Sequence, residues 1–444
     1  MRGTSLAKDF RARHFCRALK ADEGESGRGG IEPREPSGGA AARSVSRLWA
    51  DEGESGRGGK RTEKDEGKAD EKRTFQKLYG TTQVEFGIIR VDVKTMNGEN
   101  TSTKVGIGRH LSMLSAWGLS FGLAVGWGAF VMPGAEFLPS AGPLGTVVGI
   151  VVGALAMAII GWNYHRMVTT LPGPGGAYLY AQRAFGSDYG YLAAWSLTLA
   201  YMAILWANAT ALVLLVRYMF GDVLQFGWHD TLAGFDIYLG EVLLSVAVMI
   251  VAGVVCLWRK YLAGRIQAAL AAFMLIGVAT CFFFALSRHE GGLPAMAPAF
   301  APNGAKPFSQ ILRILAMMPW AFVGFEAVSH SSAEFGFSFK KLWRVLVAAI
   351  AASAAMYAML AVFPVLSHPG GFATWTDYLT GSRGLAGLDS MPTFAAVRTA
   401  MGQGGVALLG CTMFAAIFTG IVGAVIAMSR LIYALSIDEV FPRW

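Results

Sequence analysis

The sequence predicts an all-α integral membrane protein, and three observations carry that reading. Hydrophobic residues make up 54% of the 444 positions and charged residues only 15%, where a soluble domain usually carries about 25% charged residues. The charges that exist are crowded at one end: residues 1–95 hold 20 Lys/Arg and 16 Asp/Glu, more than half of the chain's total. The remainder is written in apolar runs of about 20 residues, the length that crosses a hydrocarbon core of about 30 Å.

Eight such runs are expected to span, at 112–138, 142–164, 187–219, 239–258, 264–286, 309–334, 342–366 and 404–429. They must be helical, because lipid offers no partner to free backbone N–H and C=O groups. None reads as a secretory signal, since the first begins more than 100 residues in and seven follow. A soluble bundle is excluded because no amphipathic segment is left to cover eight apolar helices. With the N-terminus inside, twelve near-membrane Lys and Arg lie on the inner side, among them Lys104, Arg109, Arg166 and Arg430, against six outside. That bias predicts a multi-pass protein of the cytoplasmic membrane with a cytoplasmic N-terminus.

Residues 1–104 form a polar N-terminal region, followed by a membrane domain over 105–444. The string ADEGESGRGG occurs twice, at 21–30 and 50–59. Such a composition cannot bury enough apolar surface to offset its ordering entropy, so disorder is expected. The SGRGG segments suggest RNA-binding tails, but acidic residues nearly match basic ones there and no nucleic acid partner is expected. Met96 opens a short polar lead, MNGENTSTKVGIGRHLS, and is the expected true start of translation.

Two spans are interrupted. The first contains Gly126-Trp127-Gly128 near its middle, then Pro133-Gly134. Each interior glycine costs a helix about 1 kcal/mol relative to alanine, so the pair invites local unwinding. The sixth carries Pro319, Gly324 and the ionisable Glu326 at a matching depth. Paired interruptions in two halves of a membrane domain point to a transporter site between repeats, and an intramembrane carboxylate is a functional candidate by default. Gly145, Gly149 and Gly153 share one face of the second span, which suits close helix packing within the protomer. Trp162, Tyr164, Trp258, Tyr261 and Trp343 fall where an interfacial aromatic belt would lie. Three of the four cysteines, Cys256, Cys281 and Cys411, fall in spans at no metal-like spacing. No metal, cofactor or catalytic cluster is expected, so the chain reads as no enzyme.

Four segments resemble the amino acid–polyamine–organocation superfamily of amino acid permeases, in order and at the right spans. GWGAFVMPG resembles that family's unwound segment in span 1, and GPGGAYLYAQRAFG (173–186) its loop into span 3. PWAFVGFEAVS (319–329) resembles the span 6 break, and SRLIYALSIDEVFP (429–442) the stretch after span 8. The resemblance implies a five-plus-five inverted-repeat fold and secondary active transport of amino acids or related amines. It further implies that Gly126, Trp127 and Gly128 offer backbone groups to the substrate carboxylate. Phe322, Val323, Gly324 and Phe325 would present carbonyls to the amine, with Trp320 lying over the bound molecule. Glu326 matches a residue linked to proton coupling or pH response, and Tyr201 and Asn208 of span 3 are candidates to face the same cavity.

Where the chain departs from that pattern, the coupling ion is in doubt. Span 5 has no lysine beyond its mouth, which some proton-coupled members carry; Thr412 or Thr419 of span 8 would be the hydroxyls for sodium. Proton, sodium or ion-free exchange all stay open. The chain ends at Trp444, just past span 8. The family's fold continues through spans 9 and 10, so the second repeat is expected to be incomplete. An inactive transporter fragment, or a non-transporting sensor or subunit, are the alternative readings; the outer loops at 220–238 and 367–395 are short for a receptor domain.

Overall fold

A computed structural model of the chain describes residues 108–440 apart from 259, 290–296 and 386, together with strands β1 (Ile89–Lys94) and β2 (Asn100–Val105). The chain divides into two units, Met1–Gln83 and Val84–Trp444, and every described residue belongs to the second. The expected disorder over 1–104 and the expected start at Met96 fall outside the described residues, except that β1 and β2 pair antiparallel within that stretch.

Each of the eight predicted runs is helical. Ser112 begins the first: its Oγ accepts the Ser115 N–H at 3.1 Å, capping α1 (Met113–Ala124). The helix stops at Val125 (φ −112°, ψ 87°) and resumes as α2 (Gly128–Met132). Pro133 has no N–H to give the ladder, and the chain passes through a π-turn (Pro133–Phe137) into α3 (Leu138–Thr170). Gly142 (φ 65°) bends α3 just before Pro143, and this bend separates the first span from the second. Proline suits the first turn of the resumed helix, where its missing N–H has no partner to lose. Among the described residues seven helical stretches are therefore long and apolar enough to cross a membrane, with α1 as a separate half-helix.

A glycine-rich loop leads to the short α4 (Ala177–Phe185) and then α5 (Ser187–Phe220). A hairpin, β3 (His229–Leu232) with β4 (Phe235–Tyr238), precedes α6 (Leu239–Trp258) and α7 (Lys260–Arg288). The second interrupted span consists of α8 (Pro307–Ala321), a break, and a tighter helix over Phe325–Glu334. It is followed by α9 (Leu342–Leu366), the short α10 (Trp375–Gly381) and α11 (Pro392–Ile437), which bends at Gly402 (φ 67°). The two outer loops thus carry a hairpin and a single short helix.

The glycine face of α3 is buried against α8. A Cβ on Gly149 would stand 2.5 Å from Ile314 Cβ, and one on Gly153 would stand 2.2 Å from Met318 Cγ. Glycine here lets two backbones approach as no larger residue would. The most apolar stretch of α11 is 72% buried and that of α6 only 22%. Hence α11 is the central post, and α6 presents Leu243, Ile250 and Leu257 outward, where lipid is the matching solvent.

Candidate substrate site

The two breaks meet. The first lies at Val125–Trp127 and the second at Phe322–Gly324, within two residues of where glycine content put them. Trp320, at the end of α8, lays its indole on the other break: a Cβ on Gly128 would stand 2.6 Å from the Trp320 ring. Gly324 takes a left-handed conformation (φ 95°) against Leu123 of α1, a Cβ there falling 2.6 Å from the leucine Cγ. Only glycine adopts that backbone freely. Ser120 of α1 donates to the Phe325 carbonyl across the same junction.

The substrate-site residues expected from the sequence fall at or beside this junction, whereas Thr412 packs against Gly277 of α7. Gly126 abuts Asn208 of α5, whose Oδ1 accepts the Trp127 N–H at 3.5 Å and whose Nδ2 donates to Ile204 O at 2.9 Å. Gly420 of α11 touches the same amide, so Asn208 joins three elements. Trp320 and Val323 are 46% and 38% exposed, while the rings of Phe322 and Phe325 are buried in the core. Those two phenylalanines therefore have only backbone to offer. Even that is partly committed, since the Phe322 carbonyl accepts from Phe325 N and the Gly324 carbonyl from Ala327 N. On the first break Ala129 N and Phe130 N donate back to the Gly126 and Trp127 carbonyls, at 3.2 and 3.0 Å, and the dipole of the half-helix that starts at Gly128 favours an anion there.

Glu326 is half-buried, and its Oε2 accepts the Gly324 N–H at 3.0 Å. The carboxylate thus caps the second half-helix from within. Tyr201 is buried on α5, within hydrogen-bonding reach of Glu326, and its hydroxyl lies 2.9 Å from His330 Nε2. His330, near the end of the interrupted span, is 1% exposed and takes a hydrogen-bonded place there against Tyr201. Its closeness to Glu326, four residues earlier on the same short segment, was the available signal. Gln267 of α7 was missed; it donates to the Thr419 carbonyl at 2.9 Å beside Gly122. The Thr412 hydroxyl donates to Leu409 O, and that of Thr419 to Ala415 O and Ala416 O, all in their own helix.

One end of the bundle, marked by His110, is tied shut by polar contacts. The Glu334 carbonyl accepts from His110 N and Leu111 N. Its carboxylate accepts from Arg430 Nε at 2.8 Å and Nη2 at 3.1 Å, with His110 Nε2 at 3.4 Å. Ser332 and Gly173 exchange two hydrogen bonds, of 2.6 and 3.0 Å. Tyr178 donates to Asp438 Oδ2 at 2.6 Å; burial and then that carboxylate push its phenol well above the usual range. At the opposite end a cavity of about 430 Å³ opens between Pro139, Asn303, Trp375 and Ser390.

Several transporters are similar in sequence. A branched-chain amino acid permease of Lactococcus lactis is 24% identical over 73% of this chain and 68% of its own length. A methylthioribose transporter of Bacillus subtilis is 23% identical over 79% and 71%, respectively. The human cationic amino acid transporter 4 is 25% identical over 77% of this chain, which spans about half of that protein's length, 52%. The amino acid permease family profile matches residues 111–444, the whole of the membrane domain from just before α1. A multi-pass membrane domain with two broken helices meeting at its centre, matched along its length, belongs to the amino acid permease family.

Proposed function

We propose that this chain moves an α-amino acid across the cytoplasmic membrane by alternating access, binding it between the two breaks. The observation that carries the reading is the seating of Trp320 on Gly128, which brings both interrupted helices to one point. An amino acid zwitterion needs an anion site and a cation site a few ångströms apart. The start of the half-helix at Gly128 suits the carboxylate. The carbonyl end of α8 at Trp320–Val323 suits the ammonium group, since helix C-termini favour cations. Trp320 and Val323, the exposed side chains of the break, would cover an apolar substrate side chain. Among the described residues the acidic group beside the break is Glu326, turned back onto its own half-helix. A neutral, apolar amino acid is therefore favoured, in keeping with the branched-chain permease among the relatives.

The end marked by His110 is assigned to the cytoplasm. The basic residues near the membrane, including Arg109, Arg166 and Arg430, gather on that side. Closure there, with the cavity at the other end, corresponds to an outward-facing arrangement. The test is uptake of radiolabelled L-leucine into proteoliposomes holding the purified chain, with L-arginine as a second probe. Saturable uptake of leucine is expected. Absence of uptake and of counterflow for both amino acids would overturn the transport reading.

A further inference from the structure

We propose that the β3–β4 hairpin, at the end of the bundle opposite His110, rests one face on the lipid surface and serves as an interfacial foot for the α5–α6 pair. The hairpin has two unlike faces. Side chains alternate along a strand, and residues directly opposite in an antiparallel pair share a face. The register sets His229 with Tyr238 and Thr231 with Asp236 on one face. Asp230 with Ile237 and Leu232 with Phe235 make the other. The first face is polar and pairs within itself: the His229 and Tyr238 rings stack at 5.2 Å, and the Thr231 hydroxyl donates to Asp236 Oδ1 at 2.7 Å. On the second, Leu232 and Phe235 flank the tight turn at Ala233-Gly234 and stand out from the protein, Phe235 at 73% exposure.

The occupant of the second face follows from the surface it runs into. One step below the ladder the Leu239 N–H donates to the Trp228 carbonyl at 2.8 Å, which carries the pairing on to these two residues. Two positions from Asp230 and Ile237, they fall on the same face. Leu239 is also the first residue of α6. From it Val242, Leu243, Val246 and Ile250 recur at helical spacing, and all five side chains are exposed. The apolar face of the hairpin therefore continues without a gap into the lipid-facing stripe of α6. Exposed Trp228 and Phe235 where a span begins match the aromatic enrichment of the membrane–water boundary.

The hairpin is held by its edge, which leaves that face open. Arg217, in the last turn of α5, donates to the Asp236 carbonyl and to the Glu241 carboxylate. The same carboxylate accepts the Tyr238 N–H at 3.1 Å. Both backbone groups belong to the side of β4 turned away from β3. Asp230 lies within the apolar face, its carboxylate accepting the Thr231 N–H at 2.8 Å. A carboxylate there keeps the face at headgroup depth, short of the acyl chains. With Asp222 and Asp236 nearby, the surface it suits is zwitterionic, since anionic lipid attracts basic segments.

The test places a bimane fluorophore at Phe235→Cys or, on the polar face, at Thr231→Cys. Each is made in the full chain with Cys16, Cys256, Cys281 and Cys411 changed to alanine, in phosphatidylcholine vesicles. Nitroxide-bearing phosphatidylcholine quenches from the lipid and iodide from the water. Both positions are exposed, so neither label displaces the core. A third label at Leu243→Cys on α6 gives the loss of a fully lipid-facing site in the folded, inserted chain. The label at Phe235→Cys is expected to lose most of its fluorescence to the nitroxide lipid and little to iodide, and the label at Thr231→Cys the reverse. Loss to iodide alone at both positions would overturn the proposal by putting the apolar face in water. Shielding of Phe235→Cys from both quenchers, with cross-linking to twice the chain mass, would overturn it in favour of a second copy of the chain.

Discussion

At the level of the breaks, α1, α5 and the Phe325–Glu334 segment meet through mostly neutral groups: the Asn208 amide, the Ser120 hydroxyl, backbone at Gly126 and Gly324, and the Tyr201–His330 link. At the His110 end the partners are Glu334 and His110 with Arg430 of α11 and Asp438 just past it. The difference follows from access to water. An ion pair at the bundle's end is replaced by hydration when it opens, so its net worth is small enough to cycle. A charge pair at mid-membrane would have no such replacement, and breaking it would leave buried charges uncompensated. The centre therefore recognises with dipoles and the end latches with charges.

The largest effect expected from disturbing this contrast is at Glu334. Glu334→Ala deprives Arg430 of its two bonds to that carboxylate and removes the His110 side-chain contact, while the backbone bonds from His110 and Leu111 to the residue 334 carbonyl stay in place. A cost of about 3 kcal/mol is expected, the low end for stranding a largely buried partner. Thermal unfolding in detergent should fall by several degrees, and thiol labelling of a cysteine placed at Ser332 should speed up. An unchanged labelling rate would mean that charge does not hold this end closed.

Next comes Gly324→Ala, which strikes the centre. The alanine must adopt φ near 95° and push against Leu123. Left-handed strain of about 1–2 kcal/mol adds to overpacking of about 1–3 kcal/mol. If the centre is built from backbone geometry, substrate counterflow should collapse in this variant. The thiol-labelling rate at the His110 end should stay as in the wild type; loss of both together would merge the two regions into one.

Much of this was written in the sequence, and what was not has a physical reason. Run length gave the helices, because lipid permits nothing else. Gly126 and Gly324 gave the breaks to within two residues, because a helix interior penalises glycine locally. Gly149 and Gly153 gave the α3–α8 contact face. The bend at Gly142 divides the two expected spans without a connecting loop, because φ 65° is a conformation that glycine adopts freely. Tyr201–His330 and Glu334–Arg430 join residues 129 and 96 positions apart, and no local pattern encodes such pairs. Only the spacing of Glu326 and His330 was local.

Trp320→Ala gives a smaller effect confined to recognition. The indole covers Gly128 and is 46% exposed, so its removal uncovers the break with little loss of core packing. An apparent affinity for L-leucine weaker by about tenfold is expected, about 1.4 kcal/mol, with unfolding temperature nearly unchanged. Uptake measured across leucine concentrations checks it; an unchanged half-saturation would remove Trp320 from the site and leave the backbone to recognise alone.

The smallest effect belongs to the second tie at the closed end. Tyr178→Phe removes one donor from Asp438, worth about 1 kcal/mol, as for an ordinary hydrogen bond, because Asp438 is exposed and water competes for its carboxylate. Its pH behaviour distinguishes it from the Glu334 tie. Burial and the Asp438 carboxylate raise the Tyr178 phenol above its usual value, so the neutral, donating form is the one the fold favours. That contribution is fully present below the free tyrosine value of about 10 and is lost only as pH climbs through the raised one. The stability difference between wild type and Tyr178→Phe should therefore be flat from pH 7 to about pH 9. A difference that shrinks across that window would show that the phenol ionises early and that the contact with Asp438 does not form in the membrane-embedded protein.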